Sequence, residues 1–182
     1  MQHDDMILEV LATEEQIKER IKEVAAQITK DYKDSENLLV IGILKGAWTY
    51  MADILREVDV NVEIDFMTVS SYCGGTTTSG SITIVKDLTV DCTDRDILIV
   101  EDIVDTGITL SRLKEVLLAR NAKSVEITTL LSKPARRIVD VGVKYIGFEI
   151  PDKFVIGYGL DFDEKYRTLK DVCVLKPEAY KK

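Results

Sequence analysis

The chain has 182 residues, of which 46% are hydrophobic and 31% are charged, values that exclude a disordered or collagen-like protein. Its 32 acidic residues outnumber its 24 lysines and arginines, and the resulting net charge of −8 argues against binding to nucleic acid or to anionic membranes. The length predicts a single domain over residues 1–182.

The cysteines and the first residues indicate the cellular compartment. Cys73, Cys92 and Cys173 are odd in number and lack the spacing of metal ligands, so we expect free thiols in a reducing cytoplasm. The acidic residues 1–5 lack the apolar core of a secretory signal, and no apolar run approaches the roughly 20 residues of a membrane span. The sequence therefore predicts a cytoplasmic protein without a membrane segment.

Hydrophobic periodicity divides the chain into strands and helices. In chain order, the predicted elements are a helix from Thr13 to about Tyr32, a strand Leu38–Leu44, a helix from Ala47 to about Arg56, strands Val62–Val69, Ile82–Val85 and Ile97–Val100, a helix Thr109–Arg120, and strands Val125–Leu131 and Tyr145–Ile150. Thr13 and Gln16 fit a capping box at the start of the first helix. Apolar strands separated by helices predict an α/β fold with a mainly parallel sheet.

Polar residues follow the ends of several predicted strands, and a glycine-rich stretch lies between two others. The polar residues are Lys45 and Gly46, Glu101 and Asp102, Ser132 and Lys133, and residues 152–154. Because ligands of open α/β sheets bind outside the carboxyl ends of the strands, we expect these groups to meet at one edge. Residues 71–80 contain three glycines and almost no apolar anchor, which predicts a mobile loop.

The most informative segment is residues 100–109, Val-Glu-Asp-Ile-Val-Asp-Thr-Gly-Ile-Thr. A strand leads through a tight turn at Gly107 into a helix, so that backbone N–H groups, the helix dipole and the hydroxyls of Thr106 and Thr109 form a cradle for a phosphate. Glu101 and Asp102 are adjacent carboxylates, which can accept hydrogen bonds from sugar hydroxyls or hold Mg²⁺. A phosphate cradle beside a site for sugar hydroxyls and Mg²⁺ indicates a phosphorylated sugar. The phosphate loop of nucleotide hydrolases and the dinucleotide fingerprint are both absent.

This segment resembles the phosphoribosyl diphosphate (PRPP) signature of the type I phosphoribosyltransferases, in which an apolar strand and two acids precede Asp-Thr-Gly-x-Thr. The likeness covers about residues 7–176 and, within that family, points to the hypoxanthine-guanine members. It is also carried by Leu44-Lys45-Gly46, Ser71-Tyr72, Lys133, residues 151–161 and Arg167. Ile108 stands at the variable position of the turn, where some members have a lysine.

The resemblance implies a type I phosphoribosyltransferase fold: a mainly parallel twisted sheet flanked by helices, a small hood from the N-terminal and C-terminal segments, and a flexible lid at about residues 70–81 that includes Ser71 and Tyr72. It implies transfer of 5-phosphoribosyl from PRPP to hypoxanthine or guanine, giving IMP or GMP and pyrophosphate, with Mg²⁺ as cofactor. It also implies a homodimer or homotetramer.

The resemblance further implies roles for individual residues. Asp105 would be the general base at the purine N7. The other implied groups are the 5′-phosphate cradle of Asp105, Thr106, Gly107, Ile108 and Thr109; the ribose and Mg²⁺ pair Glu101 and Asp102; the pyrophosphate contacts Lys45, Gly46 and Arg167; and a non-proline cis peptide at Leu44-Lys45.

For the purine, the resemblance implies contacts from Lys133, Phe154, Val155 and Asp161. Lys133 would donate to the purine O6, and an ammonium group has only donors, so 6-oxopurines are favoured over adenine. Phe154 would stack on the base, and the backbone of Val155 would meet its 2-position. Asp161 would lie close to the base as a ligand of the pyrophosphate-side Mg²⁺.

Other interpretations stay open at this point. The enzyme could act on another base, above all xanthine, which shares the 6-oxo group and differs at position 2. A PRPP-binding regulatory protein of the same fold would be expected to carry a basic face or an added DNA-binding domain. Taken alone, Asp105 also fits a residue that stiffens a turn, and residues 106–109 also fit an ordinary helix N-terminus.

Overall fold

A computed structural model describes residues 4–71 and 82–180. The strands are β1 (Ile7–Ala12), β2 (Leu38–Leu44), β3 (Glu63–Ser71), β4 (Ile82–Lys86), β5 (Asp96–Val104), β6 (Ser124–Ser132), β7 (Tyr145–Glu149), β8 (Val155–Ile156) and β9 (Val172–Leu175). The α-helices are α1 (Glu14–Tyr32), α2 (Trp48–Glu57), α3 (Ile108–Ala119) and α4 (Pro177–Tyr180). Every element predicted from periodicity is present, with its ends shifted by a few residues. Within the described residues, no helix is both long and apolar enough to cross a membrane.

The central sheet has six strands in the order β4-β3-β2-β5-β6-β7. All neighbouring pairs are parallel except β3 and β4, which pair antiparallel at one edge. The predicted mainly parallel sheet is therefore confirmed. Its two central strands, β2 and β5, are neighbours, so their carboxyl ends meet at the same edge of the sheet.

Helices cover both faces of this sheet. Leu38 and Val40 of β2 pack into a core with α1 and α2, whereas Leu39 and Ile41 of the same strand pack into a second core with α3. Successive strand residues point to opposite faces, which explains why β2 is a continuous apolar run rather than an alternating one. Each fully buried leucine or isoleucine contributes roughly 1.5–3 kcal/mol, so both cores fix the sheet firmly.

The first helix begins as predicted. The N–H of Gln16 donates to Oγ1 of Thr13 at 3.3 Å, and the N–H of Thr13 donates to Oε1 of Gln16 at 2.9 Å. This reciprocal capping box satisfies two backbone donors at the helix end. The predicted apolar stripe is buried, from Ile17 to Ile28, and it anchors α1 on the sheet.

A second, three-stranded antiparallel sheet has the order β1-β9-β8. It joins the N-terminal strand to the C-terminal part of the chain, which are the segments that the sequence assigned to a hood. Its small core contains Ile156, Cys173 and Leu175. Cys92 and Cys173 are buried free thiols, as predicted, and Cys73 lies outside the described residues.

The structure corrects two predicted boundaries. β5 continues through Glu101 and Asp102 to Val104 instead of ending at Val100, because the equally long β6 pairs with it up to Ser132. The first residues of the predicted lid belong to β3, whose last residue, Ser71, pairs with Ile82 of β4. The remaining lid residues, 72–81 with Tyr72, lie outside the described part of the chain.

Candidate active site

A cavity of about 300 Å³ lies at the carboxyl ends of β2 and β5. It brings together ten of the residues predicted from the sequence: Lys45, Gly46, Glu101, Asp102, Asp105, Thr106, Gly107, Thr109, Asp161 and Arg167. Ile108, Lys133, Phe154 and Val155 are predicted site residues that do not line it. The expectation that strand ends converge on one edge of the sheet thus holds for most of the proposed site.

The turn that enters α3 requires glycine. Gly107 has a φ of 82°, and a Cβ atom there would lie 2.2 Å from the carbonyl oxygen of Val139. The N–H groups of Ile138 and Val139 donate to the carbonyl of Thr106 at 2.9 and 3.0 Å, so the loop after β6 braces the turn. The first N–H groups of a helix have no hydrogen-bond partner within that helix. The N-terminus of α3 lies at the cavity, an arrangement that fits the predicted phosphate cradle.

Arg137, which the sequence interpretation overlooked, fixes the backbone of this turn. Its Nε donates to the carbonyl of Asp105 at 3.1 Å, and its NH2 group donates to the carbonyl of Val104 at 3.2 Å and to Oγ of Ser132 at 2.9 Å. Charge-assisted donors are the stronger hydrogen bonds. Arg137 therefore couples the end of β6 to the turn after β5.

Two cations, Arg136 and Lys133, lie near Asp105. Nε of Arg136 is 3.0 Å from Oδ1 of Asp105. This is an ion pair by distance, but Oδ1 is buried and has no hydrogen bond of good geometry. Arg136 also approaches Asp152, at 3.7 Å. The arginine was not predicted, although the Arg136-Arg137 pair three residues after Lys133 is visible in the sequence.

Lys133 is the second cation, and it lies on the same side of the molecule as Asp105. The backbone N–H of Lys133 donates to the carbonyl of Val104 at 2.9 Å, and the residue is only 6% exposed. Burial lowers the pKa of Lys133, while the carboxylates of Asp105 and Asp152 oppose that effect. Asp105 and Lys133 therefore follow directly on the paired ends of the neighbouring strands β5 and β6.

Glu101 and Asp102 form a crowded acid pair. Burial raises the pKa of Glu101, and the neighbouring Asp102 raises it further. Burial also raises the pKa of Asp102, despite hydrogen bonds that include one from the N–H of Ile103 at 2.6 Å. Without a cation in the cavity, the ionised form of the pair is therefore disfavoured.

These two carboxylates suit Mg²⁺. Among the described residues, no three His, Cys, Asp or Glu side chains are grouped closely enough to hold a metal by themselves. Mg²⁺ is commonly held by one or two carboxylates together with substrate oxygens and water, and such a site needs no larger protein cluster. A divalent cation would also favour the ionised form of both acids, which burial disfavours. The donor set therefore fits Mg²⁺ bound with a phosphorylated substrate.

The turn after β2 has the backbone that the resemblance implied. The peptide bond between Leu44 and Lys45 is cis. A Cβ atom on Gly46 would lie 1.5 Å from Oδ2 of Asp102, and one on Gly159 would lie 2.2 Å from the carbonyl oxygen of Gly46. Glycine at position 46 therefore lets three segments meet at the cavity.

Two of the three predicted pyrophosphate contacts, the cations Lys45 and Arg167, lie close together. Arg167 donates from NH1 to the carbonyl of Gly159 at 2.8 Å, and its NH2 group is 2.9 Å from Oδ1 of Asp161. Nε of Arg167 is buried and has no hydrogen-bond partner among the described residues. Lys45 and Arg167 both form ion pairs with Glu164, a residue that the sequence interpretation did not single out. Arg167 therefore lines the cavity with a guanidinium group that has one unpaired donor.

The two remaining purine candidates lie in or next to the second sheet. Phe154 is 37% exposed, and its ring stacks on Tyr180 with the centroids 4.9 Å apart and meets Phe162 edge to face at 5.7 Å. Val155 is buried in β8 opposite Val174. In this arrangement, one face of the Phe154 ring is already covered by an aromatic neighbour.

Comparisons with known proteins agree with this geometry. Residues 9–163 match the family of the phosphoribosyl transferase domain. The hypoxanthine-guanine phosphoribosyltransferase of Bacillus subtilis (strain 168) is 49% identical over 180 residues, which cover 99% of this chain and 98% of that protein. The protein of the same name from Staphylococcus aureus (strain Mu50) is 49% identical over 178 residues, 98% of each chain.

The backbone is also similar to that of solved structures. A crystal structure of a hypoxanthine phosphoribosyltransferase from Staphylococcus aureus has a TM-score of 0.95 and 47% sequence identity, covering 100% of this chain and 98% of that one. The predicted type I fold and the resemblance on which it rested are confirmed. By the family match and by 49% identity over nearly its whole length to the Bacillus subtilis protein, the chain belongs to the phosphoribosyltransferase family.

Proposed function

We propose that this protein is a Mg²⁺-dependent enzyme of purine salvage, which transfers 5-phosphoribosyl from PRPP to hypoxanthine or guanine and so forms IMP or GMP and pyrophosphate. The observation that carries the proposal is the single cavity in which the Asp105–Thr109 turn, the Glu101-Asp102 pair and Arg167 come together. The names of the Bacillus subtilis and Staphylococcus aureus relatives support the same activity.

Each part of the cavity answers one need of the reaction. The bond from C1′ of the sugar to pyrophosphate breaks, and a bond from C1′ to a purine ring nitrogen forms. Positive charge develops on the ribose and negative charge on the leaving group. The turn before α3 holds the 5′-phosphate, Glu101 and Asp102 bind the ribose hydroxyls, and Lys45 and Arg167 bind the leaving pyrophosphate.

Asp105 is proposed as the general base, which takes the proton that the purine loses at N7. Asp105 lines the cavity, so its carboxylate can accept that proton. Arg136, 3.0 Å from the Asp105 carboxylate, keeps that carboxylate in place and stabilises its negative charge before the purine binds. Glu101 and Asp102 would hold Mg²⁺ beside the ribose, Asp161 would be a ligand of the pyrophosphate-side Mg²⁺, and the metal would neutralise phosphate charge.

Lys133 is proposed to select the purine by donating to O6. A buried ammonium group has only donors, so a 6-oxo group satisfies it. The amino group of adenine at the same position would leave the ammonium without an acceptor, at a cost of about 1–3 kcal/mol or more. In the same proposal, Phe154 stacks on the base, and the backbone of Val155 meets its 2-position.

The assembly and the compartment belong to the same proposal. A homodimer or homotetramer is supported by exposed apolar side chains, among them Leu8 and Val10 of β1 and Trp48 of α2. Light scattering after size-exclusion chromatography measures this state, and a monomer at working concentration would contradict it.

A cytoplasmic location is supported by the two buried free thiols.

A panel of free bases tests the function. The enzyme is incubated with PRPP, Mg²⁺ and hypoxanthine, guanine, xanthine or adenine, and nucleotide formation is followed by chromatography. We expect hypoxanthine and guanine to react and adenine to be rejected, with that preference lost together with most activity in Lys133→Gln. Preferred use of xanthine would reassign the substrate, and no transfer to any of the four bases would overturn the proposal.

A further inference from the structure

Glu164 joins the two cations that are proposed to hold pyrophosphate. A single oxygen, Oε2, lies 3.1 Å from Nζ of Lys45 and 3.3 Å from the NH2 group of Arg167. Lys45 follows β2, whereas Glu164 and Arg167 belong to the segment after β8. The carboxylate thus bridges two separate parts of the chain at the pyrophosphate side of the cavity.

The backbone places Glu164 there. Phe162 and Lys165 exchange N–H to carbonyl hydrogen bonds, both at 3.1 Å, across a two-residue turn. Both residues of that turn, Asp163 and Glu164, have a positive φ, of 53° and 59°, the pattern of a type I′ turn. The N–H of Glu164 also donates to Oδ2 of Asp161 at 3.0 Å. The carboxylate is therefore presented to the cations by a defined turn, not by a freely moving loop.

Glu164 is charged but weakly held. Hydrogen bonds from Lys45 and then from Arg167 lower the pKa of Glu164, so the carboxylate is ionised at neutral pH. Its side chain is 64% exposed, and exposed ion pairs contribute little to stability. A multiply charged diphosphate that can contact both cations at once competes easily with one exposed carboxylate.

We propose that Glu164 is an internal anion that keeps Lys45 and Arg167 together in the free enzyme and that the diphosphate group of a ligand must displace. This inference rests on the proposed function, in which those two cations bind pyrophosphate. It has a consequence that ordinary site residues do not share: the acid weakens diphosphate binding and assists release of the product. Removing its charge should therefore tighten the site.

The test is the affinity of the whole enzyme for magnesium pyrophosphate, measured by titration calorimetry. We expect Glu164→Gln to bind about two- to tenfold more tightly than the wild type, since two exposed ion pairs no longer compete. The same variant should show stronger product inhibition by pyrophosphate and a lower KM for PRPP, without a rise in kcat. A merely structural role would not move affinity in this direction.

A matched control is Glu115→Gln on α3. Glu115 is 59% exposed and pairs with Arg112 at 2.8 Å, also three residues away along the chain, but Arg112, unlike Lys45 and Arg167, does not line the cavity. Its affinity for magnesium pyrophosphate should equal that of the wild type. Glu164→Ala should repeat the gain of Glu164→Gln, which guards against an effect peculiar to the amide.

Unchanged or weaker binding in both Glu164 variants would overturn the inference, and weaker binding would instead make Glu164 part of the diphosphate site. The proposed function is checked separately in the same experiment. Wild-type enzyme must bind magnesium pyrophosphate, and Arg167→Gln must bind it more weakly. Without binding by the wild type, the proposed function fails and the inference with it.

Discussion

Gly46 and Asp102 are packed so closely that a Cβ atom on Gly46 would lie 1.5 Å from Oδ2 of Asp102. Gly46 follows β2, and Asp102 lies near the end of the neighbouring parallel strand β5; the register places Gly42 beside Val100. The turn proposed for pyrophosphate and the acid pair proposed for ribose and Mg²⁺ therefore form one unit. Neither can move without displacing the other.

Gly46→Ala should disrupt both halves of that unit. We expect kcat/KM to fall by about 100-fold or more, because misplacement of reacting groups by about 1 Å has that effect. Overpacking should also lower the free energy of unfolding by about 1–3 kcal/mol. Steady-state kinetics and urea unfolding measure the two effects. In an Asp102→Ala background, the stability cost of Gly46→Ala should shrink; equal costs in both backgrounds would show that the side chain of Asp102 is not the obstacle.

Asp105→Asn should lose rate and keep substrate binding. Removing a general base typically lowers kcat by about 10²–10⁴-fold, whereas the phosphate cradle of residues 106–109 is unaltered. The measurement is kcat together with the dissociation constant of PRPP. Asp34→Asn, at an exposed aspartate outside the cavity, serves as control and should match the wild type. Unchanged turnover in Asp105→Asn would remove this residue from the mechanism.

Transfer should depend on Mg²⁺. PRPP is a polyanion and the protein carries a net charge of −8, so the cavity needs a cation beyond Lys45 and Arg167 to accept it. We expect an excess of chelator to abolish nucleotide formation and added Mg²⁺ to restore it. Glu101→Gln and Asp102→Asn should each raise the Mg²⁺ concentration required for half-maximal rate. Full activity in excess chelator would contradict this electrostatic account.

Asp65 should contribute stability that is lost in acid. Burial raises its pKa, but hydrogen bonds from the N–H groups of Thr89 and Phe66, the Thr89 hydroxyl and Lys86 outweigh burial and lower the pKa to about 2. Because the folded pKa is depressed from 3.8, the contribution, roughly 2 kcal/mol, is complete above pH 5 and decreases as the pH falls toward 2.

Urea unfolding of the wild type and Asp65→Asn between pH 7 and pH 3 checks this prediction. The difference in unfolding free energy between the two proteins should narrow by about 1 kcal/mol over that range, with nearly all of the change below pH 5. Asp34→Asn, whose exposed carboxylate has one contact of 3.8 Å, should show a small difference that does not vary in this way. A difference for Asp65→Asn that is independent of pH would contradict the assigned pKa.

The sequence alone determined the elements that depend on local pattern. The short, β-branched apolar run of β2 predicted a strand covered on both faces, and the stripe from Ile17 to Ile28 predicted one face of a helix. Residues 100–109 likewise predicted the end of a strand, a glycine turn and the start of a helix, because each of these has its own residue pattern within ten positions.

Only the tertiary structure decided which distant side chains meet. Glu164 contacts Lys45 across 119 positions, Arg136 turns toward Asp105, and Gly46 abuts Asp102. Such contacts depend on sheet register and on the paths of the loops, neither of which leaves a periodic trace in the chain. The ends of β5 and β3 were misplaced for the same reason, since a strand continues as long as its neighbour offers partners. The spacing of hydrophobic residues determines the helices and strands, whereas the packing of these elements determines which charged side chains surround the cavity.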